Sequence, residues 1–565
     1  MELLKSLILL LAGVGVFIVG MNMMGDGLEK GAGGGLKRLL AKISNNRFAG
    51  IGIGAGATAI IQSSSATSVM VIGLANAGVM TLFQAISIIM GANIGTTVTG
   101  LIVALSGGQK GSISFSDIAI ILAFIGVMMM FFKKEKVKLI GSILCGLGVI
   151  FVGLDIMGGS LDGEAISNFF KGIFEVVDFP LLLIIIGAIF TAIIQSSSAA
   201  TGIVIVMAGS GVVSVQSALF IVLGSNIGTC VTALLACVGT GTNAKRTAFV
   251  HFIFNVIGSI IFTAVLWPTG DWFPNLLASW FPTSAFGPEL AYQMQIAIFH
   301  VIFNVTTTLV LCAFVKQLEK LSMLVIKDKS SDADELKLKF VDERLLVTPA
   351  IAYDQVKKEI GYMATLAKEN VVASLAEINN PTKEMPTTIF ERENIINFTN
   401  KSLTDFLIKL TSEANQEDEK HIGACFHVIN DLERIGDHAK NFLEISLELI
   451  EKELSLSQDA KDEVSYMASK VERMFELAIE VFEATSRPEA CEVSAKLAEL
   501  SMLEAETDKL KKDYISNHFS RLAEGKCDAS HSPYYMSIVT RLERVADHLI
   551  NVGYSIVNPT GSQAS

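Results

Sequence analysis

The sequence predicts an all-α protein: a polytopic membrane domain of two inverted repeats, each with a re-entrant helical hairpin, followed by a soluble helical bundle. Three observations carry this. Apolar segments of membrane-spanning length fill the first half of the 565-residue chain and end near Phe314, and the mean hydropathy is +0.51. The string TAIIQSSSA occurs twice, at 58–66 and 191–199. Beyond Lys316 charged residues cluster and long apolar runs vanish. The chain therefore divides into a membrane domain (1–315), a charged linker (316–349) and a helical domain (350–558).

A shift of 133 residues aligns the two halves of the membrane domain without a gap from about residue 12 to 105. Gly13, Gly15, Gly20 and Gly25 fall on Gly146, Gly148, Gly153 and Gly158, and small residues on membrane helices allow close packing. The first repeat, about 5–132, reads as a helix at 5–24, a segment at 48–78, and helices at 80–105 and 117–132. The second, about 138–267, reads as a helix at 138–157, a segment at 181–210, and helices at 213–238 and 247–267. An extra helix follows at 292–315.

The segment at 48–78 is too long for one span, and the Gln-Ser-Ser-Ser run interrupts it. Each arm of about 14 residues reaches ~21 Å, short of the ~30 Å hydrocarbon core. A hairpin with its polar tip at the midplane fits, provided protein or a wet cavity surrounds it. Charge gives the orientation. Lys30, Lys37, Arg38, Lys42 and Arg47 lie in one loop; Lys133, Lys134, Lys136 and Lys138 in another; Lys245 and Arg246 in a third; Lys316 and Lys320 follow the last helix. Intervening loops hold only Lys110 and Lys171. The positive-inside rule places the rich loops in the cytoplasm, and the sides alternate only if neither hairpin crosses. Three crossings then separate the copies, which inverts them and puts the soluble half in the cytoplasm. Trp267, Trp272 and Trp280 share one predicted external loop, as an interfacial aromatic belt does.

Polar clusters at membrane depth are costly and call for a reason. Gln62, Ser63, Ser64 and Ser65, with Gln195, Ser196, Ser197 and Ser198, supply hydroxyl and amide donors at the start of a short helix. A helix start suits an anion. Two tips meeting at the midplane would surround an oxyanion with neutral donors. No Lys or Arg lies in either hairpin, so a mobile charge must balance the anion, and a cation is the natural candidate. Glycine breaks at Gly91–Gly95 and Gly224–Gly228 are expected to free carbonyls, to which Asn93, Thr96, Asn226 and Thr229 add oxygen ligands for a hard cation. The alternative is that these are packing kinks.

These paired Gln-Ser-Ser-Ser and Asn-Ile-Gly-Thr strings resemble the type II sodium-phosphate cotransporter family over about residues 5–315. The resemblance implies that Gln62–Ser65 and Gln195–Ser198 hold phosphate and Na⁺, that Thr67 and Thr201 contribute, and that Na⁺ is the coupling ion. His251-Phe-Ile-Phe-Asn255 recurs as His300-Val-Ile-Phe-Asn304; such pairs line a site or, more commonly, hold a bundle together.

The second half alternates apolar and charged residues at helical spacing, punctuated by Pro381, Pro386, Pro488 and Pro533. It repeats too: residues 431–441 match 541–551, placing Glu433, Asp437 and Asn441 on one helix face and Glu543, Asp547 and Asn551 on another. Carboxylates so placed on facing helices can hold a cation; the alternative is a solvated face with Arg434 and Arg544 as partners. The arrangement resembles the PhoU-type phosphate-regulatory domain. That likeness implies a divalent or transition metal, with Glu391, Glu393, Glu504 and Asp508 as further partners.

The acidic balance, formal net charge −12, argues against nucleic-acid binding. The seven cysteines form no CxxC pair, so neither a zinc ribbon nor a disulfide framework is indicated. No P-loop, HExxH or GxSxG motif supports an enzyme. The expectation is Na⁺-coupled phosphate transport across the cytoplasmic membrane by alternating access, in contact with membrane lipid and as a homo-oligomer or a monomer. Two rivals remain open: a phosphate exporter or carrier of another oxyanion, and a membrane-anchored phosphate sensor.

Overall fold

The computed structural model describes residues 1–40, 46–106, 115–177, 179–327, 336–379, 385–413, 416–483 and 490–555. Lys42, Lys110, Pro381, Pro488, linker residues 328–335 and the end of the helical domain at 556–558 lie outside them. The described residues form helices and turns, without a β-strand. Two compact units emerge, Met1–Ser331 and Asp332–Ser565.

The first unit begins with α1 (Glu2–Leu40), α2 (Arg47–Ile61), α3 (Ser64–Asn76), α4 (Leu82–Ala104) and α5 (Phe115–Met130). It continues with α6 (Glu135–Leu161), α7 (Glu164–Val176), α8 (Pro180–Ile194), α9 (Ser197–Gly209), α10 (Val215–Ala236) and α11 (Thr242–Thr269). Short helices α12 (Trp272–Trp280) and α13 (Thr283–Phe286) lead into α14 (Pro288–Leu311) and α15 (Val315–Val325). Six helical stretches among the described residues are long and apolar enough to cross a membrane: α1, α4, α6, α10, α11 and α14–α15. The 16-residue α5, expected as a full crossing, falls short of that length. Helix α7 was not expected. It follows a turn at Asp162–Gly163 and mixes apolar residues with charges, so no long apolar run announces it.

The duplication is carried into the backbone. Adding 133 to the bounds of α2 (47 and 61) gives those of α8 (180 and 194). The same sum turns α3 (64 and 76) into α9 (197 and 209). Equivalent helices α1 and α6 pack antiparallel, as the glycines show. A Cβ on Gly13 would lie 2.8 Å from Met157 N, and one on Gly20 would lie 2.5 Å from Ile150 N. Gly146 and Gly153 close on α1 equally tightly, at 2.5 Å from Met24 N and Phe17 N. Gly15 and Gly158 meet nothing within 4 Å, so the packing role does not extend to them.

Within each copy the first hairpin arm runs parallel to the long helix after it. Gly91 rests on Ile51 O and Gly95 on Ala55 O; Gly224 rests on Ile184 O and Gly228 on Ala188 O. A Cβ at these four sites would approach those oxygens to 2.0, 2.6, 2.0 and 2.4 Å. For α2 and α4 to run parallel, α3 must bring the chain back to the end where α2 began. The same holds for α8, α9 and α10.

The expected glycine breaks are absent. Helix α4 runs unbroken over Leu82–Ala104 and α10 over Val215–Ala236. The glycines serve backbone-to-backbone packing instead, since a side chain there would strike a neighbouring carbonyl. No carbonyl is freed for a cation at either string.

The second unit contains α16 (Pro349–Asn379), α17 (Met385–Glu413), α18 (Gln416–Glu451), α19 (Gln458–Glu483), α20 (Ala490–Ala523) and α21 (Ser532–Ser555). Helices α16 and α17 pack on α18, helices α19 and α20 pack on α21, and α18 meets α21. Leu432, Ile435 and Ala439 of α18 and Leu542, Val545 and Ala546 of α21 are buried in the cores so formed.

Candidate functional site

Each hairpin turns on a glutamine in left-handed conformation: Gln62 at φ 58°, ψ 23° and Gln195 at φ 58°, ψ 20°. The chain has one other non-glycine residue at positive φ among those described, Glu453. A non-glycine residue held there is strained, and such strain gathers at functional positions. The following residue is extended and caps the next helix. Ser63 Oγ accepts from Ala66 N at 3.1 Å, and Ser196 Oγ from Ala199 N at 3.2 Å. This explains the Gln-Ser-Ser order locally: αL stop, serine N-cap, helix start. The oxygens of Ser63 and Ser196 are thus already engaged in holding the turn.

Ser64 and Ser197 open α3 and α9 and are each 5 % exposed. Ser198 is buried, Ser65 half-buried. Their backbone N–H groups lie in the first helical turn, which has no intrahelical acceptors to offer them. Across the copies, Thr232 Oγ1 of α10, which donates to Thr229 O at 2.8 Å, meets Ser65 Oγ of α3 at 3.3 Å. Helix α9 reciprocates by packing on α4. Each second arm therefore rests on the long helix of the other copy.

The copies differ at the glutamines. Gln62 is buried; its Nε2 donates to Ala59 O at 2.5 Å and its Oε1 accepts from Thr99 Oγ1 at 2.9 Å. Gln195 is exposed.

Thr67 accepts from Thr58 Oγ1 at 3.0 Å and donates to Ser63 O at 3.0 Å. Thr201 faces Ser225 Oγ at 3.4 Å, beside Thr191, which donates to the same oxygen at 2.9 Å. The 133-residue shift pairs Thr67 with Ala200 and Thr201 with Ser68, so these two threonines are not mates. Thr96 and Thr229 donate to the carbonyls of Ala92 and Ser225 in their own helices, each at 3.0 Å. Asn226 Nδ2 donates to Val222 O at 3.0 Å, whereas Asn93 Nδ2, on a residue 4 % exposed, has no partner among the described residues. Thr58, Thr99, Thr191 and Thr232 were not singled out as site residues by sequence reasoning. Their signal was present: all four sit in the strings that repeat at 133.

A family model described as Na⁺/Pi-cotransporter matches residues 16–159 and 162–271. The uncharacterized protein YqeW of Bacillus subtilis (strain 168) is 33 % identical over 317 residues, which span 55 % of this chain and 96 % of that protein. The chain belongs to the Na⁺/Pi-cotransporter family. A PhoU domain model matches residues 360–446 and 464–556. The chain is also 24 % identical over 482 residues to the Escherichia coli (strain K12) protein named "Putative inorganic phosphate export protein YjbB", covering 84 % of this chain and 85 % of that one. It is 36 % identical over 135 residues to human "Sodium-dependent phosphate transport protein 2B", covering 22 % of this chain and 20 % of the human protein. No solved structure matches.

The PhoU domain of this cotransporter-family chain carries two acidic clusters in matching places. In the first, Glu393 of α17 is 4 % exposed and faces Glu433 and Asp437 of α18. Burial, then Asp437, pushes its carboxyl up to about 7, and Asn397 donates to its Oε1 at 3.2 Å. Glu433 is raised by burial and then by Asp437. In the second, carboxylate oxygens of Glu504, Asp508 and Asp547 lie within 4.8 Å of one another. Burial, then Asp508, raises Glu504; burial, then Glu543, raises Asp547. Glu543 is drawn off into an ion pair with Lys511 at 2.9 Å. Asn441 bonds back to Asp437 O at 2.7 Å, and Glu391 and Asn551 are exposed. Carboxylates held this close repel and keep protons unless a cation intervenes, so the second cluster fits a divalent or transition ion by its donor set.

Proposed function

We propose that the chain carries inorganic phosphate across the cytoplasmic membrane, coupled to Na⁺, with its PhoU domain regulating flux from the cytoplasm. The observation that carries this reading is the pair of matched tips, each with a strained glutamine, a serine cap and a buried serine at a helix start. Such a tip offers neutral donors to an oxyanion. The family makes that oxyanion phosphate.

The antiparallel packing of α1 on α6 supports inverted orientation of the copies. The parallel packing of α2 with α4 and of α8 with α10 supports hairpins that re-enter rather than cross. Rocking of one copy against the other, through contacts such as Ser65–Thr232, then exposes the tips to each side in turn. Phosphate contacts are assigned to Gln62, Ser63, Ser64, Ser65, Gln195, Ser196, Ser197 and Ser198. For Na⁺, the oxygens of Thr67, Asn93, Thr96, Thr201, Asn226 and Thr229 are assigned as ligands; a hydroxyl or amide that donates within its own helix, as Thr67, Thr96, Asn226 and Thr229 do, still has its oxygen to offer. The PhoU carboxylates are assigned to a metal that reports cell state.

Export is the second reading, and the name of the Escherichia coli relative, similar along both halves, favours it. Flux of labelled phosphate in proteoliposomes, with Na⁺ gradients of either sign, separates the cases. Uptake that follows the Na⁺ gradient supports the first reading. Phosphate efflux indifferent to Na⁺ supports the second, and absence of flux in either direction overturns both in favour of a sensor.

A further inference from the structure

The pairs His251–Asn255 on α11 and His300–Asn304 on α14 belong to no site described so far. Both histidines are 1 % exposed and both asparagines 0 %. Each asparagine Nδ2 donates to the carbonyl of the histidine four residues back, at 3.0 and 2.9 Å. A carbonyl only accepts, so the amide must present its nitrogen there and turn Oδ1 outward. Among the described residues, neither Oδ1 has a hydrogen-bond partner; nor does His251 Nδ1, nor either ring nitrogen of His300. Leaving one such buried atom unpaired costs about 1–3 kcal/mol. Five together are a concentration that packing alone does not explain.

The two pairs are mates in three dimensions. Helix α11 packs on α10, α3 and α4, and α14 packs on α4, α9 and α10. Exchanging the copies turns the first set into the second. The two helices meet antiparallel, with Phe262 against Phe299 and Phe303 and with Gly258 under Thr307. The 133-residue shift pairs α11 with α5 instead, so α14 takes the place in the first copy that α5 leaves.

His300 also lies beside the first tip. Its Nδ1 is 3.6 Å from where a Cβ on Gly100 would stand. Gly100 follows Thr99, whose hydroxyl holds Gln62. Helices α4, α9, α12 and α13, packed against α14, carry no titratable side chain. Helix α10 brings Cys230, α11 brings Lys245, Arg246 and His251, Cys312 follows α14, and α14 itself has Glu289 and Tyr292. Arg246 is directed to Ile326 O at 3.0 Å, and Cys230 Sγ lies 3.6 and 3.5 Å from Asn226 O and His251 O, one of which takes its single proton.

We infer that His300 is a proton-binding site coupled to the anion site, and that His251 is its mate in the second copy. This rests on reading the tips as an anion site. The tips hold only neutral donors, so a bound anion needs a mobile positive charge. An imidazole supplies one by taking a proton from solvent, and both ring nitrogens then become donors. A buried imidazolium without a carboxylate is unfavourable until the anion arrives. Proton and anion thus strengthen each other's binding by the same factor.

The test is equilibrium binding of inorganic phosphate to the full-length protein in lipid nanodiscs, at fixed Na⁺ and varied pH. Phosphate's own ionisation is common to all variants and cancels between them. Wild type gains up to about tenfold in affinity per pH unit on acidification relative to His300→Gln, the slope of one linked proton. His300→Asn, a second neutral replacement, should lose the same slope, and it serves if the glutamine variant does not fold. Profiles of His300→Gln or His300→Asn superimposable on wild type overturn the inference alone. No phosphate binding by wild type at any pH overturns the tip reading with it.

Discussion

Thr99 Oγ1 donates to Gln62 Oε1 at 2.9 Å, inside one copy, whereas its repeat mate Thr232, donating to Thr229 O at 2.8 Å, meets Ser65 Oγ of the other copy at 3.3 Å. One threonine braces a tip and its twin links the copies. Thr99→Val removes the brace while keeping the shape. Gln62, already strained at positive φ, loses the bond that orients its amide, so phosphate affinity should fall about 5- to 30-fold, corresponding to about 1–2 kcal/mol. Thr232→Val leaves Gln62 untouched and should change transport rate more than affinity. Binding and flux measured on both variants check the split.

Ser64→Ala and Ser197→Ala delete hydroxyls at the two helix starts without touching the caps on Ser63 and Ser196. Each is expected to lower phosphate transport by about tenfold or more with little loss of thermal stability. Proteoliposome flux with a melting curve on the same sample decides; wild-type flux from either variant would remove the tips from the substrate path.

Gly91→Ala and Gly224→Ala force a Cβ to 2.0 Å from a backbone carbonyl. Backbone cannot yield as a side-chain end does, so each should destabilise the first unit by about 1–3 kcal/mol or more. Gly52→Ala, which meets nothing within 4 Å, should be neutral or stabilising. Thermal unfolding of the three variants gives the comparison.

Glu393 carries its carboxyl raised to about 7 in the folded chain, above the ordinary value of 4.5. The folded state therefore binds the proton more tightly than the unfolded one. Without added metal, this group's contribution is full below about pH 4.5 and is lost as pH rises towards 7. The PhoU unfolding transition of the metal-free chain should shift down between pH 5 and pH 8, and Glu393→Gln should flatten that shift.

If a cation relieves the acidic clusters, adding it at pH 7.5 should raise the same transition. Asp437→Ala with Asp547→Ala should abolish most of that gain. Elemental analysis of the purified full-length protein before and after chelation, with melting curves, measures both. No bound metal and no loss in the double variant would leave the clusters as plain acidic faces.

Much of the first unit could be read from the chain. Apolar length gave the long helices, and the repeated Gln-Ser-Ser-Ser gave the two turns, because αL stop and serine cap are local chemistry. The polar-to-apolar contrast likewise located the helical second half and the acidic faces on α18 and α21. The glycine strings misled the sequence reading. Periodicity and composition cannot tell a glycine that breaks a helix from one that admits a neighbour, since that depends on what lies across the interface.

The sequence by itself determined that there are two copies, where each turns, and which side chains stand at the turns; these follow from local propensity and identity at a fixed spacing. Only the tertiary structure decided which partner each side chain takes. It set Gln62 on Thr99 but left Gln195 exposed, joined Ser65 to Thr232 across 167 residues, and put α14 where the linear repeat would have put α5. Such pairings come from long-range packing of helices whose outer faces look alike in sequence. Spacing along the chain has no term for them.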